Sequence, residues 1–438
     1  MRDARVTPSR RAALQVMERV RGGDLADRAL EHAARGLDPR DRAWTQELVY
    51  GTLRLRGRID FLLDKLLRDG VGRIDPEILD VLRLGAYQLL DMASVPPYAA
   101  VSQSVDLAKQ IGAGRLSGLV NGVLQNLQRK GRDISFPRLD RDPAAHLSTW
   151  GSHPRWLVER WIARWGAEDA AALVEADNRR PELYLRPIGI SIDDARQRLG
   201  EAEIATETVD FAPDSLRVLP PASAAEALAS IPAVVQDPAA ALVVRYAAVP
   251  EGAAVLDLCA APGGKALGLA ERAGRVAAAD LSWRRMGRVR ENAARVGWAE
   301  RVGGVVADAR RPPFRAVAAV LLDAPCTGTG TFRRHPDGRW RVTPDDLAAL
   351  AALQGELLEA AAPLVEPNGV LVYSTCSLER EENEERVEAF LSQHPEFALE
   401  PEPGAVPAGV LDDAGRLCVL PQRQGVDGAF AARLRRRA

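Results

Sequence analysis

The chain is sparing in several residue types, and each shortage excludes something. Only four cysteines occur in 438 residues: Cys259, Cys326, Cys376 and Cys418. They are far apart, with no CxxC pair and no histidine at ligand spacing, so neither a zinc site nor a disulfide scaffold is expected. An isolated cysteine of this kind usually serves as a small buried hydrophobe, and Cys418, which has no motif around it, is read that way. No apolar run reaches the ~20 residues that span a bilayer. The opening stretch MRDARVTPSRR is charged and lacks the apolar core of a signal peptide. A cytoplasmic protein with no membrane partner and no metal is therefore expected. Lysine is almost missing, at four of 58 basic residues. That bias reads as genome composition, so the arginine count alone says little.

What is present describes globular domains. Hydrophobic residues make up 47% and charged residues 27%, enough for ordinary cores, and the length suggests two to four domains at roughly 150 residues each. The net charge of -2 does not announce nucleic acid. Its distribution is less neutral: residues 1–133 hold 19 Arg and 3 Lys against 17 acidic residues, an excess of five positive charges. Such an excess fits phosphate binding by counterion release, and equally fits a solvated helical surface.

Residues 1–135 read as an all-α domain. Apolar positions recur at helical spacing in Ala12-Ala13-Val16-Met17-Val20 and in Ile78-Val81-Leu82-Leu84-Leu89. Asp75-Pro76 is an N-cap followed by proline at the first helical position. After Pro96-Pro97, helices are expected over 101–111 and 116–128. A linker follows near 135–143. Residues 144–235 read as a small α+β domain whose first helix carries Trp156, Trp161 and Trp165 at 4–5 residue spacing. Such a stripe is more often core packing than a base-stacking platform. From 236 to 438 strands and helices alternate, with strands expected over 253–258, 275–279, 304–307, 316–322 and 369–374, and helices over 284–296 and 345–364. That alternation predicts a mostly parallel, Rossmann-like α/β sheet with ligands at the carboxyl ends of its strands.

The chemistry-bearing residues all fall at those strand ends. The first strand feeds the loop Cys259-Ala260-Ala261-Pro262-Gly263-Gly264-Lys265, where small residues let backbone N–H groups approach a ligand and a helix amino terminus follows. It is neither GxGxxG nor GxxxxGK[ST]. The second strand ends in Asp280, placed for ribose hydroxyls, and the third in Asp308, placed to accept from an amino group. The fourth ends Asp323-Ala324-Pro325-Cys326-Thr327-Gly328-Thr329-Gly330 and the fifth Tyr373-Ser374-Thr375-Cys376-Ser377. Two cysteines in Pro-Cys and Thr-Cys-Ser turns, beside a ligand loop, read as reactive thiols. Such a thiolate is a nucleophile that can add to an electron-poor carbon. The residues alone do not rank the two. Asp323 is placed to hold a ring proton or an exocyclic amine. A DPPY motif is absent because position 326 is Cys, which argues against methylation of an exocyclic amine.

The DLCAAPGGK stretch resembles the cofactor loop of RNA cytosine-5 methyltransferases of the NOL1/NOP2/Sun type. That resemblance implies S-adenosylmethionine, held by Cys259 to Lys265 with Asp280, Asp308 and Asp323. It implies Cys376 as nucleophile and Cys326 as the release residue. Ala266 stands where many relatives carry Thr, Gly338 where a bulkier residue is common, and Ala429 where an aromatic is frequent. Arg333-Arg334-His335-Pro336 and Trp340 match the family pattern at the RNA entrance, and Asp427-Gly428-Ala429-Phe430 matches its terminal hairpin. Ser9-Arg10-Arg11-Ala12-Ala13, Asp41-Arg42-Ala43 and Asn121-Gly122-Val123-Leu124 resemble a NusB-type RNA-binding fold, and Ser152-His153-Pro154 with Trp156-Leu157-Val158 fits the same subfamily. This combination resembles the bacterial Sun/Fmu 16S ribosomal RNA methyltransferases. It implies a monomer acting on one cytosine of small-subunit RNA, flipped from a loop. The same chemistry on transfer RNA, and a non-catalytic NusB-like binding factor, are the alternatives.

Overall fold

The computed structural model describes residues 6–402 and 404–438. It divides into two compact units: the residues up to 179 together with Phe332–Arg341, and Arg180–Thr331 together with Val342–Ala438.

The first unit is helical: α1 (Pro8–Arg21), α2 (Ala26–Ala33), α3 (Pro39–Arg54), α4 (Arg56–Leu66), α5 (Pro76–Asp91), α6 (Pro97–Gln110), α7 (Ser117–Lys130), α8 (Pro143–Thr149) and α9 (Arg155–Asn178). The proposed cap is in place: Asp75 accepts from the Glu77 amide, with Pro76 opening α5. α5 is buried on every side from Ile78 to Gln88, which makes it the centre of the bundle. Two charges inside that stretch are paired, as burial requires. Arg83 meets Asp60 at 2.7 Å and Asp80 at 3.1 Å, and Arg21 reaches Asp80 at 3.0 Å. On α9, Trp161 is buried and edge-on to His153, so it is core, while Trp156 and Trp165 are half-buried.

Segment 332–341, distant in sequence, is built into this helical unit. Arg339 is wholly buried there. Its guanidinium donates to the backbone carbonyls of Arg54, Ser152, Asp177 and Phe332 at 3.1–3.3 Å and to Asn178 Oδ1 at 2.8 Å. Burial still pulls its pKa down to about 9. The neighbouring His153 is pushed down to about 4, by burial first and by the Arg339 charge second. Trp340 is half-buried and its indole N–H donates to Leu53 O at 2.7 Å. Of the sequence run 333–336, Arg333 and Pro336 are buried, Arg334 is half-buried and His335 is exposed.

The second unit begins with a small four-stranded antiparallel sheet: β1 (Leu183–Pro187), α10 (Ile192–Glu201), β2 (Thr206–Thr208), β3 (Leu216–Val218), α11 (Ala224–Ser230) and β4 (Ala233–Val235), in the order β2-β3-β1-β4. This βαββαβ path is the split-βαβ arrangement.

The large sheet follows: α12 (Pro238–Ala247), β5 (Ala254–Asp257), α13 (Gly264–Leu269), β6 (Arg275–Asp280), α14 (Trp283–Arg295), β7 (Val302–Val306), β8 (Val317–Asp323), α15 (Gly338–Arg341, in the helical unit), α16 (Pro344–Ala361), β9 (Val365–Thr375), α17 (Glu384–Gln393), β10 (Phe397–Leu399), β11 (Leu417–Val419), α18 (Pro421–Gln424) and β12 (Ala429–Arg436). The strand order is β10-β12-β9-β8-β5-β6-β7, with β11 beside β12. Strands β5 to β9 pair in parallel and β12 runs antiparallel to β9. The order reverses at β5/β8, so the ligand crevice is expected above their carboxyl ends. α16 is apolar and long enough to cross a membrane by length and composition. Here it packs on the sheet through Leu357, Leu358 and Ala361, beside Leu322 and Leu371. Phe430 lies in the same core, so the terminal hairpin position is a packing residue.

Candidate functional site

The first crossover builds the ligand loop. β5 delivers Asp257 to the sheet edge and the chain turns through Cys259–Gly263 into α13. Gly263 has φ 102°, a left-handed conformation open to glycine. A Cβ there would also lie 3.1 Å from Val289 Cγ1 and 3.2 Å from Val289 Cα. Three bonds pin the turn: the Gly263 amide donates to Ala260 O at 2.7 Å, Arg285 Nη2 to Ala261 O at 2.6 Å, and Asn292 Nδ2 to Pro262 O at 3.2 Å.

A cleft of about 520 Å³ opens beside this turn. Its walls include Cys259 and Ala261 from the loop, the carboxylates Asp280, Asp308 and Asp323, apolar Leu281, Leu353 and Leu357, and both Cys326 and Cys376. Asp280 is nearly buried; it accepts from the Ser282 amide at 2.9 Å and the Ala261 amide at 3.4 Å. Asp308 is gripped by Arg310, which holds its carboxyl down at about 2. Burial pushes the Cys259 thiol up to about 12, so it lines the wall as a neutral group. Of the sequence-assigned loop, Ala260, Pro262, Gly263 and Gly264 shape the turn without lining the cleft. Lys265 points to Asp323, its Nζ donating to Oδ2 at 2.7 Å. The volume lies within the usual range for small-molecule sites. Carboxylate acceptors over an apolar wall suit a nucleoside with a cationic tail, so the residues present fit S-adenosylmethionine.

The second cluster stands at the β8 and β9 edge. Asp323 is bound from both sides: Lys265 on one oxygen and Ser374 Oγ on the other, each at 2.7 Å. The two thiols lie 3.4 Å apart. Their environments pull them in opposite directions. The Cys326 hydrogen bond, then the Lys265 charge, draw the Cys376 pKa down. The same contact, then burial and the nearby Glu382, push Cys326 well up. The surroundings thus bias Cys376 towards the thiolate and Cys326 towards the thiol, across a contact in which either sulfur can donate. For Lys265 burial works against the charge, but Asp323 overrides it and the net displacement is upward.

Several site residues escaped the sequence reading. Asp257 is wholly buried, and burial first, then the neighbouring Asp323, pushes its pKa to about 8. Glu382 and Gln354 bind the Cys326 loop. Glu382 sits in an acidic run with nothing to single it out. Gln354 had a usable signal, being a lone amide in a helix of Ala and Leu.

Comparison with known proteins agrees along the whole chain. A family model described as 16S rRNA methyltransferase RsmB/F matches residues 246–435. The NusB family matches 7–129, and an RsmF/B-like ferredoxin-like domain matches 153–224. The chain is 36% identical over 432 residues to the probable ribosomal RNA small subunit methyltransferase B of Synechocystis, covering 94% of each. It is 36% identical over 421 residues to ribosomal RNA small subunit methyltransferase B of Pseudomonas syringae, covering 90% of this chain and 89% of that one. Among solved structures it resembles PH0851 with a TM-score of 0.79 at 27% identity, over 98% of this chain and 99% of that chain. A methyltransferase homologue from Pyrococcus horikoshii gives a TM-score of 0.57 at 27% identity, over 68% of this chain and 99% of that one.

Proposed function

We propose, since this chain belongs to the ribosomal RNA small subunit methyltransferase B family, that it methylates carbon 5 of one cytosine in 16S ribosomal RNA through a Cys376 adduct. The chain is an S-adenosylmethionine-dependent ribosomal RNA methyltransferase. The observation that carries the finer reading is the pair of thiols, 3.4 Å apart and oppositely biased, beside the Lys265–Asp323 pair.

Bound in the cleft, S-adenosylmethionine supplies the electrophilic methyl. The chain's residues do the rest. Cys376 is the nucleophile: its thiolate adds to carbon 6 and raises electron density at carbon 5. Asp323 stands beside it on β8 to hold the N3 proton or the exocyclic amine as charge builds on the ring. Lys265 donates a hydrogen bond to Asp323 and favours the Cys376 thiolate. After methyl transfer the carbon-5 proton leaves to water in the open cleft. The carbon–sulfur electrons return to Cys376, and the Cys326 thiol stabilises that departing thiolate. The positive excess of residues 1–133 supports RNA phosphates as the target of the NusB-like domain.

Bisulfite sequencing of ribosomal RNA from cells with and without the gene tests substrate and position together. Loss of one protected cytosine in the small-subunit RNA is expected; loss in a transfer RNA instead overturns the substrate. For the mechanism, Cys376→Ala is expected to abolish transfer, and Cys326→Ala to trap a covalent RNA adduct. Robust turnover by the Cys376 variant sinks the assignment.

A further inference from the structure

Cys326 owes its place to two buried side chains that the mechanism above does not use. Glu382 follows the β9 turn and has no exposed surface. Its carboxylate accepts from the Thr327 amide at 2.8 Å, from the Thr327 hydroxyl, and from Gln354 Nε2 at 2.9 Å. The same Gln354 amide donates to Pro325 O at 2.9 Å. Thr327 and Pro325 are the two neighbours of Cys326, so one carboxylate–amide pair grips the loop on both sides of the thiol. Glu382 is itself anchored, since the Tyr373 hydroxyl donates to its backbone carbonyl at 2.6 Å.

We propose that Glu382, with Gln354, is the positioning residue of the release step. It aims the Cys326 thiol at Cys376 and keeps it a proton-bearing donor instead of a second nucleophile.

The charge distribution explains why a carboxylate is used. A buried anion disfavours a second anion close by. Glu382 stands on the Cys326 side and the Lys265 ammonium on the Cys376 side, so two chemically identical groups are biased in opposite directions. An uncharged side chain of the same shape would hold the loop without that bias. A carboxylate buried without a cation of its own is costly. Burial raises the Glu382 pKa, while the bonds from Ser377, Thr327 and Gln354 oppose that rise. A purely structural loop anchor would be served by an amide.

The inference rests on the reading of Cys326 as release residue, and the test separates the two. Formation and resolution of the covalent RNA adduct would be timed separately for the wild type, Cys326→Ala, Glu382→Ala, Glu382→Gln and Gln354→Leu, using full-length protein and small-subunit RNA. Glu382→Ala is expected to slow resolution of the adduct at least tenfold more than it slows adduct formation. Glu382→Gln keeps one acceptor oxygen for the Thr327 amide and turns the other position into a donor that the Thr327 hydroxyl can accept from, so it should fall between. If Glu382→Ala does not fold, the Gln354 and Glu382→Gln variants decide by the same ratio. Equal slowing of both steps in all three variants, while Cys326→Ala traps adduct, overturns the positioning role alone. Failure of Cys326→Ala to trap adduct overturns the release reading and this inference with it.

Discussion

Gly330→Ala is the sharpest test of how the two thiols are held together. Gly330 ends the Cys326 loop. Its amide donates to Cys376 O at 3.0 Å, and its carbonyl accepts from Gly428 at 2.7 Å, so it ties the Cys326 loop to the Cys376 turn and the terminal hairpin. A Cβ there would lie 2.7 Å from Gly428 Cα and 2.8 Å from Cys376 O. Both neighbours are backbone, so no side chain can swing aside. Relieving the clash means parting the two turns by a few tenths of an ångström to about 1 Å. Overpacking of that kind costs about 1–3 kcal/mol, and weakening the two hydrogen bonds adds about 1 kcal/mol. The larger effect falls on rate. The thiols are 3.4 Å apart, and a misplacement near 1 Å costs on the order of 10²-fold in an oriented reaction. Single-turnover transfer from labelled S-adenosylmethionine, paired with urea unfolding, separates the two effects. We expect a modest drop in stability and a roughly hundredfold slower turnover. A variant with wild-type rate and wild-type unfolding midpoint would refute the reasoning.

Three further outcomes follow from the same geometry. Lys265→Met removes the cation that favours the Cys376 thiolate and neutralises Asp323. The acid limb of the adduct-formation rate should move to higher pH, with at least a tenfold loss at pH 7; an unmoved limb contradicts the role. Asp257, at about 8 in the folded chain against ~3.9 for a free carboxyl, holds in the native state a proton that the unfolded chain releases. Its contribution to stability is therefore complete below pH ~4 and is lost as pH rises to about 8, with a slope of up to about 1.4 kcal/mol per pH unit. Asp257→Asn should flatten the pH dependence of unfolding free energy across that window, and an identical slope rules the assignment out. Arg339→Met strands four buried carbonyls and Asn178 and is expected to destabilise the helical unit by about 3–5 kcal/mol. Chemical denaturation followed by the tryptophans of that unit reads it, and an unchanged midpoint discards the account.

Much of this was legible in the sequence because it depends on local pattern. The strand ends Asp280 and Asp323 came out where expected, since an apolar run followed by Asp and a turn marks both the end of a buried strand and the ligand edge. The Asp75-Pro76 cap was readable for the same reason. What was hidden depends on contacts between distant residues. Gln354 and Glu382 are 28 positions apart, and Lys265 and Asp323 are 58. Neither pairing has a period or a spacing to announce it. Lys265 directly follows the glycines of the ligand loop, and the start of α13 brings its side chain to Asp323, a contact that the loop sequence does not announce. Arg339 sat in an ordinary basic run, and only the fold showed that it fills a cage of carbonyls in the helical unit.

The proposed division of labour between Cys326 and Cys376 rests on tertiary structure alone. Both end parallel neighbouring strands, both sit in short polar turns, and both line one cleft. Nothing in either tripeptide makes one thiol more acidic. The difference comes from what each turn packs against. β9 delivers Cys376 beside the Lys265–Asp323 pair, and the β8 loop delivers Cys326 against a buried carboxylate. Exchanging those two surroundings should exchange the roles of the thiols, because the hydrogen bond between them has no preferred direction of its own. In the proposed mechanism the order of adduct formation and release is set by two charges, one on each side of a 3.4 Å contact.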